Sequence, residues 1–547
     1  MKKISTTLLT LTASLTSFGQ SAIDAYNVTQ TDLRGTARFM SMAGAFGALG
    51  GDLSTLTQNP AGIGVYRSSE IGVTVDFDFQ SFNTGWGNKV SQTKVYCNNF
   101  GYVGAINLGG ELLKTFNWGA TYNRKASFDR EYFGGFAGMP TSLTNYIGQS
   151  IGNVAPADLS EFGTLNPYDQ PGTYWLGALA YNSGLVSPST PSGANYVGLA
   201  APGSNVDGYF NISERGYIDE YSINFGGNFI DMLYWGIGFG ITDLKWTQWS
   251  TYGEDVFNAN VPVSGSRVGN TSPYYSSGGE AYYDLNNWKQ INGSGFNIKL
   301  GLIFKPIEQL RIGAAVHTPT WYTLNQNSDA SVDFDYSSGF SGYFGDNYDE
   351  LDYPSYLEYK LKSPWRFMIS AAGVIGGRFI LSADYEHDAY DSMTFGSSGM
   401  YRTDYSWIND DIKYYFQSAN TIRIGAEFRV TPKFSVRAGY SYTGDNVKGD
   451  VYDPKWQADN LIYTSGAYDQ QTNPAFTFNK STQYITFGLG YKFGSFYLDA
   501  AYVHKSRDSY YQPFTSFYNE YNQLMATPQA KLSQNDNNLV LSLGFRF

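Results

Sequence analysis

The chain of 547 residues holds a single cysteine, Cys97, so no intramolecular disulfide framework can staple it. Histidine is almost as scarce, and His317, His387 and His504 lie too far apart to offer metal-ligand spacing. Neither a metal site nor any other cofactor is expected. Charged residues make up only 15%, and the formal charge of −12 leaves no basic surface for phosphate, which removes nucleic acid as a partner. Beyond the N-terminus no uninterrupted apolar run approaches the roughly 18 residues that a spanning helix requires. A helical membrane protein is therefore excluded.

What is present in excess is aromatic and small. The chain has 46 Tyr, 37 Phe, 11 Trp and 61 Gly, and it is 17% aromatic. Transmembrane β-barrels have this composition because lipid-facing apolar residues alternate with lumen-facing polar ones and aromatic girdles mark both interfaces. The first twenty residues have a basic start at Lys2 and Lys3, an apolar middle around Leu8, Leu9, Leu11 and Leu15, and small residues near Ser17 and Gly19. That pattern predicts a secretory signal peptide over 1–20.

Period-two alternation recurs along the chain. Leu539, Leu541, Leu543, Phe545 and Phe547 share one face of a strand, with Ser542, Gly544 and Arg546 on the other. The same pattern runs through Phe296 to Phe304, Ile422 to Val430, and Phe434 to Tyr440. Tight links such as Thr431-Pro432-Lys433 and Phe493-Gly494-Ser495 alternate with long polar segments, as periplasmic turns alternate with extracellular loops in outer-membrane barrels. The predicted fold is all-β: a transmembrane antiparallel barrel of about fourteen strands over 69–547, with long extracellular loops at 131–215, 251–290 and 445–480. Soluble sandwich domains also alternate, but they do not separate short and long connections so regularly. The terminal aromatic on the last alternating strand predicts recognition by the outer-membrane insertion machinery, and outer-membrane lipids are the expected surroundings.

A segment rich in Gly and Ala precedes the first strand: RGTARFMSMAGAFGALGGDLSTLTQNPAGIGVY, from Arg34 to Tyr66. Its glycines do not follow the dinucleotide-binding order, and no strand leads into them. The segment resembles the N-terminal hatch of the FadL-type outer-membrane transporters of long-chain fatty acids and aromatic hydrocarbons. In that family a small-residue stretch with an acidic residue, here Asp52, is followed by Asn-Pro-Ala-Gly, here Asn59, Pro60, Ala61 and Gly62. Further similarity lies in Leu310 to His317, Thr421 to Thr443 and Gln483 to Tyr502. The resemblance is weakest in the loops. It implies a fourteen-stranded barrel plugged by a hatch, a hydrophobic ligand captured among the loops, and a kinked strand that opens the wall.

Residues 21–68 are thus expected to form the hatch, with Asn59, Pro60, Ala61 and Gly62 setting its exit to the first strand. Asn59-Pro60 also has a plain reading as a turn, since Pro fixes its own φ and keeps the preceding residue extended. The charges predicted to face the lumen are Lys299, Arg311, Asp384, Glu386, Arg423, Glu427, Arg429, Arg437, Lys492 and Asp499, and most should pair, because an unpaired buried charge is costly. Arg423 and Arg437, on adjacent strands, are the candidates for receiving a substrate carboxylate.

No catalytic residue is assigned. There is no nucleophile-elbow motif, and Glu386 and His387 point to opposite faces of their strand, so the protein is not expected to be an enzyme. The functional expectation is gated passive diffusion of a hydrophobic small molecule, most simply a long-chain fatty acid, across the bacterial outer membrane. The rivals are a polar-solute porin and a barrel whose loops bind a protein or surface polymer in secretion.

Overall fold

The computed structural model describes residues 21–85, 88–152, 154–161, 166–169, 174–190, 195–263, 275–345, 355–398, 404–460 and 471–547. The expected signal peptide, 1–20, lies outside the described residues. Fourteen antiparallel strands close into a barrel. They are β1 (Glu70–Asn83), β2 (Lys89–Asn107), β3 (Leu113–Ser127, continued by Arg130–Phe136), β4 (Asn205–Phe229), β5 (Leu233–Pro262), β6 (Tyr275–Ile307) and β7 (Leu310–His317, continued by Trp321–Tyr336). The second half has β8 (Ser355–Lys362 and Trp365–Ile375), β9 (Phe379–Ala389 and Thr394–Ser397), β10 (Ala419–Arg429), β11 (Phe434–Thr443), β12 (Phe476–Phe493), β13 (Phe496–Gln512) and β14 (Ala530–Arg546). Closure comes from β14 pairing with β1, in a register that runs from Arg546 opposite Glu70 to Ser533 opposite Asn83. This leaves no open edge, the condition for a sheet to stand in hydrocarbon.

The outer surface explains why the strands alternate. On β1, Ile71, Val73 and Phe79 are exposed, while Glu70, Asp76 and Asp78 between them are buried inward. On β14, Leu539, Leu541 and Leu543 are exposed and Asn538 and Ser542 are buried. An exposed apolar belt around a polar interior is stable only against lipid, so the protein is a multi-pass β-barrel of the bacterial outer membrane. Aromatic contacts line the short-turn end of the belt: Phe493 on Phe496 at 5.7 Å, Phe496 on Phe545 at 4.7 Å, and Phe545 on Phe547 at 5.5 Å. Short turns face the periplasm in outer-membrane barrels.

Two predicted loops give way to strand, one over most of its length and one at its ends. The stretch expected as a loop over 251–290 instead carries the ends of β5 and β6, paired from Leu233 opposite Phe304 to Pro262 opposite Tyr275. The excursion expected over 131–215 loses its ends to the continuation of β3 and the start of β4. The physical reason is a change of phase. Within the belt β5 turns Leu233 and Ile241 outward, whereas above it the apolar residues Leu244, Trp246, Tyr252 and Val256 face inward and are buried. β4, β6 and β7 switch in the same way, with Ile212, Leu285 and Leu324 buried inward. Beyond the membrane, water replaces lipid outside and a folded cap replaces the wet lumen inside. The alternation continues with its apolar side reversed.

That cap is built from the remainder of the longest excursion. Its helices α3 (Leu143–Ser150) and α4 (Trp175–Ser183) bury Leu143, Tyr146, Ile147, Leu176 and Leu179 against Tyr252, Tyr283 and Phe334 of the barrel extensions and Phe514 and Phe517 of the link between β13 and β14. Glu254 of β5 ties it down, accepting from the Leu143 N–H at 2.9 Å, the Tyr252 hydroxyl at 2.7 Å and the Ser142 hydroxyl. The third predicted loop, 445–480, ends in strand from Phe476, and residues 461–470 lie outside the described residues.

Candidate functional site: the lumenal hatch and its cavity

The N-terminal segment runs inside the barrel from the cap side to the short-turn side. Helix α1 (Ala22–Thr29) is opened by a reciprocal capping box between Ser21 and Asp24. Its Asp24 also meets Lys289 of β6 at 3.1 Å. Tyr26 stacks on Phe416 at 5.3 Å, and its hydroxyl accepts from the Asn479 N–H at 2.8 Å. An apolar helix face, a capped terminus and a buried tyrosine thus fix α1 across the upper lumen.

Below α1 the chain is extended and charged. Asp32 meets Lys505 of β13 at 2.8 Å, and Arg34 meets Asp76 at 3.0 Å and Asp78 at 3.1 Å on β1. Burial opposes ionisation of Asp32, but Lys505, Arg507 and Arg34 outweigh it and hold the carboxyl well below the usual carboxylate range. Helix α2 (Ala37–Ser41) follows, capped by the Thr36 hydroxyl. Its Arg38 reaches Glu427 of β10 at 3.0 Å. Asp52 accepts from the Thr36 hydroxyl at 2.7 Å and the Ser54 N–H at 2.9 Å. Burial raises the Asp52 pKa, with Arg38 and these donors opposing it.

The small residues permit contact with the wall at backbone distance. A side chain on Gly64 would strike the Gly227 carbonyl of β4, and one on Gly47 would strike Ser370 of β8. Larger residues at either place would hold the hatch away from the strands.

The Asn59-Pro60-Ala61-Gly62 run is a brace rather than a simple turn. Asn59 is fully buried; its side-chain oxygen accepts from the Ala61 N–H at 3.1 Å and caps the 3₁₀ turn Pro60–Val65. The amide nitrogen donates to the Gly47 carbonyl at 2.6 Å and to the Leu302 carbonyl of β6 at 3.4 Å. Pro60 takes the first position of the turn, where no backbone donor is required. The Gly62 carbonyl accepts from Gly51 at 3.2 Å. One asparagine therefore ties the hatch to itself twelve residues back and to the barrel wall.

Between α1 and the rest of the hatch lies a cavity of about 120 Å³ with a polar lining. Gln30, Asp32, Arg34, Gln58, Lys125, His317, Arg366, Glu386, Arg423 and Arg507 all face it. Arg423 is there as expected, but it is committed to Glu386 through two contacts at 3.1 and 3.2 Å. Arg437 is not in the lining: it is buried in the wall, meeting Glu427 at 2.8 Å and Asp499 at 2.6 Å. The structure does not bring the two arginines together, since Arg437 sits opposite Glu427, four residues along β10 from Arg423.

Two cations that sequence reasoning passed over stand out. Among the described residues, no carboxylate comes within ion-pair distance of Lys125 or Arg507, and Arg507 donates only to the Gln534 side chain, at 2.6 and 3.2 Å. Lys125 lies at a register shift of β3 between Arg124 and Ala126, where counting alternate residues fails. The signal that marks it is the strand break that follows at Phe128-Asp129.

Together these features define the class: an outer-membrane β-barrel closed on its axis by a folded N-terminal hatch. No family model and no curated protein matches the sequence. Among solved structures the chain is similar to a FadL homologue of Pseudomonas aeruginosa, with a TM-score of 0.48 and 13% identity over 94% of this chain and 99% of that one. It is also similar to the toluene transporter TodX of P. putida, with a TM-score of 0.45, 13% identity and the same two coverages. The toluene transporter TbuX of Ralstonia pickettii gives 0.42 and 13%, again over 94% and 99%.

Proposed function

We propose that the barrel passes hydrophobic small molecules, most simply long-chain fatty acids, across the outer membrane by gated passive diffusion. The observation that carries this reading is the hatch itself. From Thr36 to Gly50 and again from Asp52 to Gly64 its residues are almost all buried against the wall, so the axis offers hydrated solutes no open channel. A hydrophobic molecule has a second way out, through the wall into lipid. The interruption of β3 at Phe128-Asp129, next to the register shift at Lys125, is the candidate opening. Asn59, Pro60, Ala61 and Gly62 are the gating brace in this scheme.

The charged cavity lining bears on the kind of ligand. Among the described residues Lys125 and Arg507 have no carboxylate partner, and a cavity of this polarity suits the carboxylate of an amphipathic acid better than a neutral hydrocarbon. Arg423 contributes a third, already paired, cation. The porin reading requires a hatch that leaves its place, and the secretion reading places function in the cap.

Uptake of labelled oleate and toluene by cells expressing the protein, with glucose entry into proteoliposomes measured alongside, tests the proposal. Oleate uptake above that of cells without the protein, with glucose excluded, is the expected result. Rapid glucose entry through the unaltered barrel would replace this reading with the porin, and absence of uptake of either hydrophobic probe would overturn transport.

A further inference from the structure

The outward face of the barrel does not end with the lipid belt. On β5 the belt closes at the exposed Ile241, and the strand continues to Pro262, in unbroken register with β4 as far as Phe257. From Ile241 to Phe257 the wall rises about 40 Å beyond the belt, at roughly 3.3 Å per residue and a tilt near 40°. Along β5 the residues that share the Ile241 face change in type with distance from lipid: Lys245, then Trp249, then Asp255. β4 repeats the order with Arg215, Tyr209 and Asp207, and β6 places Trp288 opposite Trp249, followed by Asp284 and Tyr282. Among the described residues of these three strands, no cation faces outward beyond Trp249.

Arg215 and Lys245 are exposed and have no ion-pair partner among the described residues; Arg215 lies over the Trp249 ring at 5.7 Å. Asp243, one step nearer the belt than Lys245, accepts from the Tyr217 hydroxyl at 3.2 Å. The rings are presented as platforms. Trp249 is 44% exposed and Tyr209 39%. A side chain at Gly253 would strike the Tyr209 ring and hydroxyl, so that ring lies across β5 where the strand is bare, held by its hydroxyl donating to Asp284 at 2.7 Å. Thr251 donates to Asn286 at 2.7 Å and Asn286 to Asp333 at 3.0 Å, which fixes amide and carboxylate groups beside the rings.

We infer that the outward face of β4 to β6 beyond the belt binds the glycan of the lipopolysaccharide around the barrel, with Arg215 and Lys245 toward its phosphates and Trp249, Tyr209 and Tyr282 against its sugars. The choice of occupant rests on continuity and on the order of charge. This face continues the lipid-covered surface on the side of the long strand extensions, where the glycan of the outer leaflet begins as its acyl chains end. Lipopolysaccharide carries phosphates beside its acyl chains and hydroxylated sugars farther out. Cations next to the belt suit the phosphates, since the guanidinium offers paired donors and the ammonium a point charge. Farther out, carboxylates repel phosphate but accept from sugar hydroxyls, and tyrosine and tryptophan supply rigid amphipathic contact area.

The test incubates the full barrel in mild detergent with equal amounts of core-bearing lipopolysaccharide and lipid A, followed by mass measurement of the glycolipid that stays bound. A chelator is present throughout, so that divalent cations cannot bridge carboxylate to phosphate. The unaltered protein should retain the core-bearing form several-fold over lipid A. The double variant W249A/Y209A should lose that preference and still hold lipid A, while Y521A, in the link between β13 and β14 and off this face, should keep it. K245E should lower retention of both glycolipids, because both carry the phosphates. Should the double variant fail to fold, W249Q alone tests the same platform. Equal retention of the two glycolipids by the unaltered protein, or undiminished preference in the folded ring variant, would overturn the site. Capture of lipid-free dextran as strong as that of lipopolysaccharide would assign the face to a soluble polysaccharide instead.

Discussion

Arg38 of the hatch and Arg437 of the barrel wall donate to the same oxygen, Glu427 Oε2, at 3.0 and 2.8 Å. One buried carboxylate thereby joins the plug to the cylinder, and Asp499 balances the second arginine at 2.6 Å. Removing the shared acceptor strands Arg38 and leaves Arg437 with Asp499 alone, whereas removing Arg38 leaves Glu427 paired with Arg437.

The variant Glu427→Ala should therefore destabilise the hatch by about 3–5 kcal/mol, the usual cost of breaking a buried pair from one side. Arg38→Met should cost less, because Glu427 keeps Arg437. Limited proteolysis of hatch residues in the purified, inserted barrel reports the difference. Equal protection of the hatch in Glu427→Ala and the parent would show that the shared carboxylate does not hold it.

Asn59→Ala combined with Pro60→Gly removes the brace to Gly47 and Leu302 and frees the 3₁₀ turn, while every barrel strand stays intact. Loss of a buried, bonded amide is worth about 1–3 kcal/mol. Oleate uptake should fall or glucose should leak through the variant in proteoliposomes. If neither changes, the brace has no part in gating.

Acid should loosen the hatch through Asp32. Its pKa is depressed in the folded state, so the stability it contributes is complete above its ordinary value of 3.8 and is lost as pH falls below that toward the depressed value. Hatch protection measured from pH 7 down to about 2 should decline at the acid end. The variant Asp32→Asn should start lower and show a flatter decline, and an identical acid profile in both would remove Asp32 as the cause.

The cap should face the outside of the cell. Ser187 is buried beneath it, so a tag belongs at the exposed pair Ser189-Thr190. Antibody should reach the tag on intact cells. Labelling that appears only after the outer membrane is permeabilised would invert the topology.

Deleting Phe545 to Phe547 removes the pairing of Phe545 with Ile71 and the terminal aromatic contact of Phe547 with Tyr102. The truncated chain should fail to insert and should accumulate in the periplasm. Normal amounts in the outer membrane would show that closure does not need these residues.

The barrel was legible in the sequence because lipid imposes a strict condition on it: outward residues must be apolar and inward ones polar, so Leu539 to Phe547 or Phe296 to Phe304 declares its strand without knowledge of any partner. The same reasoning placed Arg423 and Arg437 on the inner face. It could not tell that Glu386 occupies the first while Glu427 and Asp499 bury the second, since those contacts join strands and set which cations remain free. Above the membrane the condition reverses at Leu244, and the cap that faces Tyr252 and Val256 comes from residues about a hundred positions earlier in the chain. Alternation without a known solvent does not say which side is inside. The sequence by itself determined where the chain must cross lipid, and only the tertiary structure decided which polar groups meet within, because a bilayer acts on each residue alone and a lumen acts on residues in pairs.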